Sequence, residues 1–484
     1  MNTSYLKAFA TAWLIASASA LADDTSSQLD QLMHRYSDLG QFNGVALVVD
    51  GGSTVLRKGY GSANLEWQVE NTPETRFLVG SVTKSFTALV IMQLAERGAL
   101  ELDAPIVDYL PAYREDTGSA ITIRHLLTHT DGIPNYTKNT YFWQSNSNGV
   151  PITTAEFVAQ YCSGDVEFAP GSQYRYGNSG YSVLGAIIER VTGKPYDEVV
   201  AQQILQPLGM QNTGQYRDDT VLDSRATGYE IAIDGFRHAA PIPKPFFAAG
   251  SMYSTVDDLV RYDRALQGAV LISDAGRKMM FDSRDGAVAG TFAFGWSVGE
   301  ATLGGAIPGR QYIATNGQIN GFNAIVVRIP RDEHLIILLN NTGETDLFSM
   351  TDNIMRVIYG LAANKVESRL RDVFFQKLRE ASLDAALAFY RERRDDHSTD
   401  YLYFPWPMRI LAGQLMSDGR YDDAISILNL NLETNPNDAK SFEALGDAYS
   451  RVGDVKTANA NYRRALLLDN LNAYAADKLA NQEE

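Results

Sequence analysis

Two segments near opposite ends of the chain have the pattern of β-hairpins, and they constrain the fold most strongly. The first, residues 44–61, reads "GVALVVD", a Gly-Gly turn and "STVLRKGYG"; the second, residues 322–341, contains "FNAIVVRIP" and "EHLIILLNN". Val, Ile and Leu runs bounded by turn residues are typical of buried antiparallel strands. Helical patterns lie between them and again over 347–362. We therefore expect an α+β fold in which both chain ends build one antiparallel sheet flanked by helices.

Composition limits the functions that need considering. The 484 residues include 42 basic and 58 acidic side chains, so the formal net charge is −16. Such an acidic chain repels phosphate backbones, and we expect no nucleic-acid partner. Cys162 is the only cysteine, which excludes an intrachain disulfide and a thiolate-based zinc site. We also expect no cofactor.

The first residues, "MNTSYLKAFATAWLIASASALADD", have the pattern of a secretory signal peptide. Lys7 supplies the positive charge, an apolar stretch follows, and Ala20-Leu21-Ala22 forms a cleavage site. We predict a signal peptide over residues 1–22 and export to the periplasm or the medium. No later run has the length of a membrane helix, so the mature chain should contain no membrane span.

The composition and pattern of the sequence change from about residue 364, where glycine becomes rarer and amphipathic helical patterns dominate. Leu445 and Ala458 recur as Leu411 and Ala424, 34 positions earlier. This period resembles two tandem tetratricopeptide units. We therefore expect a helical linker over residues 363–404 and repeats over 405–484, following a main domain over 23–362.

Ser81 and Lys84 stand at the head of the apolar segment "FLVGSVTKSFTALVIMQLAERGAL". Residues three apart share one face of a helix, so the two side chains should lie together. The apolar neighbours would desolvate the ammonium group and lower its pKa. A lysine in this state can accept the hydroxyl proton of a serine or stabilise another base.

A second motif, Tyr176-Gly177-Asn178, precedes another apolar helical segment. Together, S-x-x-K and Y-x-N resemble the serine β-lactamase and penicillin-binding-protein-like hydrolases with a class C β-lactamase fold. Further matching segments are "HLLTHTDGIP", "LGM", "AAGSMYSTVDDL" and "FAFGW". The resemblance covers about residues 27–362 and implies an antiparallel sheet flanked by helices, with a mostly helical second lobe and the site between them.

The resemblance also implies the roles of individual residues. Ser81 would be the acylated nucleophile, and Lys84 would take part in the hydrogen-bond network through which the Ser81 proton moves. Tyr176 would be the general base once a nearby cation lets its phenol ionise. Asn178 would hydrogen-bond Lys84 or the substrate. The backbone N–H groups of Ser81 and Gln318 would form the oxyanion hole.

The third motif of that family, Lys or His followed by Thr or Ser and Gly, is altered to Thr315-Asn316-Gly317. The missing cation commonly helps to bind a substrate carboxylate, although Arg310 could replace it. We therefore expect an ester or amide substrate. The alternatives are a D,D-carboxypeptidase or D-aminopeptidase, a β-lactamase, and a catalytically weak scaffold that binds a protein partner through its C-terminal repeats.

His125 and His129 have the spacing of two metal ligands on a helix. The residues between them are Leu126, Leu127 and Thr128, so the general base of an H-E-x-x-H site is missing. We predict a structural role for this segment and no metal site.

Overall fold

The computed structural model describes residues 24–138, 142, 152–217, 219–232, 235–241, 247–282, 292–303, 305–343, 345–395, 401–402, 407–469 and 472–481. The predicted signal peptide, residues 1–22, lies outside these. The chain is divided into two compact units. The first takes its residues from Met1–Tyr136, Asn146–Tyr229 and His238–Asn364, and the second from Thr137–Ser145, Glu230–Arg237 and Lys365–Glu484.

Strands and helices of the described residues are numbered in chain order. The strands are β1 (Gly44–Asp50), β2 (Ser53–Tyr60), β3 (Ser62–Asn64), β4 (Val69–Glu70), β5 (Phe77–Leu78), β6 (Gly214–Gln215), β7 (Tyr229–Ala232), β8 (Gly235–His238), β9 (Met252–Ser254), β10 (Ser297–Ala301), β11 (Arg310–Ile319), β12 (Phe322–Ile329), β13 (His334–Asn340), β14 (Ser368–Arg369) and β15 (Tyr401–Leu402). The helices are α1 (24–38), α2 (Thr83–Glu96), α3 (Glu115–Gly118), α4 (Ile123–Leu127), α5 (Thr154–Tyr161), α6 (Ser179–Thr192), α7 (Tyr196–Val200), α8 (Gln206–Leu208), α9 (Phe247–Gly250), α10 (Val256–Gln267), α11 (Asp274–Met280), α12 (Leu347–Ile358), α13 (Leu370–Glu380), α14 (Leu383–Asp395), α15 (Pro407–Ser417), α16 (Tyr421–Thr434), α17 (Ala439–Arg451), α18 (Val455–Leu468) and α19 (Ala473–Ala480).

The main sheet of the first unit joins both ends of its sequence, as the two hairpin patterns predicted. Its strand order is β10-β11-β12-β13-β1-β2, and every neighbouring pair is antiparallel. Strand β1 pairs with β13 so that Val48 lies opposite Ile336. The side chains of β12 are buried along its whole length, which explains the apolar run Ala324–Val327 at its centre. The predicted α+β fold with helices around an antiparallel sheet is confirmed.

Helix α2 is buried on all sides over its first 12 residues, Thr83 to Leu94. A helix that is buried on all sides is expected at the centre of a domain. Phe86 of α2 stacks on Tyr262 of α10, with ring centroids 4.1 Å apart. This packing fixes α2, and with it the residues at its N-terminus.

The second unit is built mainly from helices α13 to α19. Leu411, Ala424, Leu445 and Ala458, the positions of the predicted 34-residue period, are all buried. The C-terminal segment is thus helical, whereas its assignment to the tetratricopeptide repeats and the domain boundaries drawn above remain predictions. Across the residues with assigned structure, no helix is both long and apolar enough to cross a membrane.

Candidate active site

Ser81 lies in a 3-10 turn, Gly80–Val82, that runs directly into α2 at Thr83. The sequence suggested a start of the helix at Ser81, so the structure places the serine just before it. Gly80 has a left-handed φ of 51°, which glycine tolerates because it lacks a Cβ. Residues i and i+3 nearly eclipse in a 3-10 turn, and Lys84 therefore still lies beside Ser81.

Lys84 is 1% exposed and its Nζ donates to three oxygens. These are Ser81 Oγ at 3.0 Å, Asn178 Oδ1 at 2.7 Å and the carbonyl of Ala249 at 2.8 Å. Burial lowers the pKa of Lys84 to about 7, in the direction that the apolar surroundings predicted. At neutral pH the side chain is therefore populated both as an ammonium that saturates these acceptors and as an amine with a free lone pair.

Tyr176 lies in the loop before α6, and Lys84 Nζ is 5.0 Å from the centre of its ring. Burial raises the pKa of the phenol above its ordinary value, while the nearby Ser81 hydroxyl lowers it and Tyr174 raises it. Tyr176 is 39% exposed, so water offsets part of the rise. Burial therefore opposes ionisation of this phenol near neutral pH, and the role of Tyr176 as general base stays a prediction.

Strand β11 lies against the turn that carries Ser81. A Cβ on Gly317 would lie 1.9 Å from the carbonyl oxygen of Val79 and 2.5 Å from the nitrogen of Ser81. A Cβ on Gly80 would lie 2.8 Å from the nitrogen of Gln318. The backbone N–H groups of Ser81 and Gln318 thus meet at one junction, which only glycines at positions 80 and 317 allow.

The side chains of the altered third motif alternate along β11. Thr315 is 6% exposed, and Asn316 and Gln318 are exposed. The Gln318 side chain donates from Nε2 to the carbonyl of Gly343 at 2.9 Å. The structure therefore brings Ser81, Lys84, Tyr176 and Asn178 together through direct contacts and places Gly317 and Gln318 at the same turn.

Arg310, the candidate replacement for the missing cation, is engaged elsewhere. Its Nε donates to Asp332 Oδ2 at 2.5 Å, and the same carboxylate accepts from Tyr359 Oη at 2.6 Å. Thr315 lies five positions after Arg310 along the strand, a span of about 17 Å. Arg310 therefore does not supply the missing charge at this site.

Three features of the site were missed by the sequence analysis. The carbonyl of Ala249 binds Lys84, and the ring of Tyr181 lies 5.6 Å from Lys84 Nζ. His129 contacts the ring of Tyr176, with centroids 4.4 Å apart. The segments that contain these residues resemble the family's sequence. The sequence does not show, however, which backbone carbonyl will bind a side chain. In the described ranges no group of three or more His, Cys, Asp and Glu is arranged to hold a metal ion.

A family model matches the part of the chain that carries these motifs. The family model described as Beta-lactamase matches residues 29–358, more than half of the chain. The protein belongs to the β-lactamase family. PbpX of Bacillus subtilis (strain 168), named for a penicillin-binding protein, is 31% identical over 315 residues, which cover 64% of this chain and 74% of PbpX.

Solved structures of this family show the same fold. The D-amino acid amidase of Ochrobactrum anthropi SV3 matches with a TM-score of 0.61 and 23% identity over 70% of this chain and 99% of the amidase. EstCE1, a hydrolase with promiscuous acyltransferase activity, matches with a TM-score of 0.58 and 24% identity over 70% of this chain and all of that one (100%). These structures show the fold, and the family match identifies the present protein as a serine hydrolase.

Proposed function

We propose that this protein hydrolyses esters or amides that carry no free carboxylate, through an acyl-enzyme on Ser81. The observation that carries the proposal is the 3.0 Å contact between Ser81 Oγ and the Nζ of a buried lysine whose pKa is lowered to about 7. Near neutral pH the amine form of Lys84 can take the hydroxyl proton while Oγ attacks the acyl carbon.

The remaining steps use groups that already surround Ser81. In the tetrahedral intermediate, the oxyanion accepts hydrogen bonds from the backbone N–H groups of Ser81 and Gln318. Collapse of the intermediate breaks the bond to the leaving group, which takes a proton from the neutral phenol of Tyr176. Lys84, now an ammonium, gives the proton that it took from Ser81 to the Tyr176 phenolate and becomes an amine again. Water then attacks the acyl-enzyme, with its proton passing to Lys84 and on to Ser81.

The substrate class follows from the missing cation. Thr315 occupies the position at which the family usually has Lys or His, and Arg310, the only cation of β11, is bound to Asp332. A free carboxylate would lose its usual partner, and one hydrogen bond to a charged group contributes about 1.5–3 kcal/mol. The amidase and hydrolase neighbours support an ester or amide substrate.

Turnover of matched substrates tests this proposal. We expect kcat/KM for 4-nitrophenyl butyrate to exceed the values for nitrocefin and a D-Ala-D-Ala peptide by at least about tenfold, because those two carry carboxylates. Ser81→Ala should abolish turnover. Ser85→Ala is the control, since Ser85 is buried on the same helix and its Oγ donates to the carbonyl of Val82 at 2.8 Å. Faster hydrolysis of nitrocefin than of the ester would favour a β-lactamase. A wild-type protein that turns over none of the three substrates would favour the scaffold alternative.

We also propose that the helices from α15 onward are tetratricopeptide-like and that the chain is exported. Helix pairs α15–α16 and α17–α18 bury the equivalent positions Leu411 and Leu445. Two repeats offer a small groove to a peptide partner. Capture of a partner by the full chain, lost when exposed groove residues are changed, would support binding. N-terminal sequencing of the mature protein would locate the cleavage site, which we place after Ala22.

A further inference from the structure

We propose that His129 is a positioning residue that holds the phenol of Tyr176 in place for proton donation to the leaving group. This inference rests on the function proposed above, because it assigns Tyr176 the role of proton donor. His129 belongs to the segment "THTDG", for which we predicted only a structural role from the sequence.

His129 binds the backbone on both sides of Tyr176. The N–H of Arg175 donates to the carbonyl oxygen of His129 at 2.9 Å. The N–H of Gly177 donates to His129 Nδ1 at 3.4 Å, a long and correspondingly weak hydrogen bond. The residues before and after Tyr176 are therefore both tied to one histidine.

The imidazole ring also packs on the tyrosine itself. Its centroid lies 4.4 Å from that of Tyr176, 4.6 Å from Phe292 and 5.1 Å from Tyr181. His129 is 1% exposed and has a left-handed φ of 56°, a conformation that is uncommon for a residue other than glycine. A buried, unusual backbone conformation next to reacting groups is a common feature of functional sites.

The contacts define the protonation state of this ring. Nδ1 accepts the Gly177 N–H, so the single proton of the neutral imidazole resides on Nε2. Among the described residues, Nε2 is buried without a hydrogen-bond partner. Burial and the charge of Lys84 lower the pKa of His129 well below its usual value, and the phenols of Tyr174, Tyr176 and Tyr181 are the other titratable groups at its ring. His129 therefore stays neutral and transfers no proton itself.

A positioning role predicts an effect that depends on the leaving group. Nitrophenolate leaves without prior protonation, whereas an alkoxide requires a proton from the enzyme. Displacing the phenol of Tyr176 should therefore slow acylation by ethyl butyrate far more than acylation by 4-nitrophenyl butyrate. A purely structural defect would reduce kcat/KM for both esters by similar factors, because they share the acyl group.

The experiment compares His129→Asn, His129→Phe and Tyr176→Phe on these two esters. Asn tolerates the left-handed backbone and can accept a hydrogen bond but removes the ring, whereas Phe keeps a ring and removes the acceptor. We expect either His129 variant to lower kcat/KM for ethyl butyrate at least tenfold and for the nitrophenyl ester less than threefold. Thermal unfolding identifies the variant that folds, and a single folded variant suffices for the comparison.

A double-mutant cycle completes the test. If His129 acts through Tyr176, adding Tyr176→Phe to the His129 variant should cause little further loss, because both changes remove one function. Additive losses, or equal losses on the two esters, would overturn the inference. Ser81→Ala is measured in parallel: a variant that retains turnover refutes the proposed function, whereas an inactive Ser81→Ala with unaffected His129 variants refutes only this inference.

Discussion

At the scale of single residues, the protonation state of Lys84 decides what the site can do. Its Nζ is enclosed by Ser81, Asn178 and the carbonyl of Ala249 at 3.0, 2.7 and 2.8 Å. Burial disfavours the charged form and lowers its pKa to about 7, which places the base close to the pH at which a general base works best.

The pH profile of kcat/KM tests this assignment. Because the amine is the reactive form of Lys84, the rate should rise about tenfold per pH unit below the pKa of about 7 and level off above it. Asp131→Asn is the control, since burial raises the pKa of Asp131 to about 7 as well. If the rise of kcat/KM below pH 7 is unchanged in this variant, that rise is assigned to Lys84 and not to Asp131. A rate that still rises steeply above pH 9 would indicate the phenolate of Tyr176 as the base instead.

Those residues of the site that act through their side chains could be predicted from the sequence. Ser81, Lys84, Tyr176 and Asn178 were found from two short motifs, because nucleophile, base and hydrogen-bond acceptor require particular residue types. The carbonyl of Ala249 was not, since any residue could provide it. His129 was missed because its contacts with Arg175 and Gly177 arise from a left-handed backbone that the sequence does not reveal.

At the scale of elements, the contact between β11 and the turn at Ser81 brings together the two backbone N–H groups that we propose as the oxyanion hole. The hairpins were predictable from the alternation of apolar runs and turns, and the sheet confirms them. The 3-10 turn ahead of α2 was not, because it depends on Gly80 passing close to Gln318, a contact between segments far apart in sequence. Tertiary contacts of this kind set the geometry that local patterns leave open.

Gly317→Ala tests the element contact. The added methyl would lie 1.9 Å from the carbonyl oxygen of Val79, so the turn must shift and carry the Ser81 N–H with it. We expect kcat/KM to fall at least tenfold, and overpacking to lower the free energy of unfolding by about 1–3 kcal/mol. Gly164→Ala is the control, because nothing lies within 4 Å of its Cβ position. Wild-type kinetics in Gly317→Ala would contradict the close approach.

At the scale of the whole molecule, the first unit contains a buried carboxyl group whose protonation affects stability. Asp131 is 5% exposed, and its Oδ1 accepts the N–H of Ile133 at 2.8 Å. Burial raises its pKa to about 7, above the ordinary value of 3.8. The folded state therefore binds this proton more tightly than the unfolded state, and its contribution to stability is lost as pH rises from about 4 to about 7.

Asp131→Asn should remove this dependence. The amide keeps an acceptor for Ile133 without ionising, so the variant should gain stability over wild type as pH rises. We expect little difference at pH 4 and a gain of up to about 4 kcal/mol at pH 8. Unfolding midpoints at the two pH values measure it. Asp165→Asn is the control, because that side chain is 90% exposed; equal pH dependence in both variants would rule out burial as the cause.

Mass spectrometry of the trapped enzyme shows directly whether Ser81 is the acylated nucleophile. Wild type and Ser81→Ala are exposed to a fluorophosphonate and to a panel of acyl donors, and intact masses and peptide maps are recorded. We expect one adduct per chain, on the peptide that contains Ser81, and none in folded Ser81→Ala. An adduct on another residue, or labelling of Ser81→Ala to the wild-type extent, would contradict it.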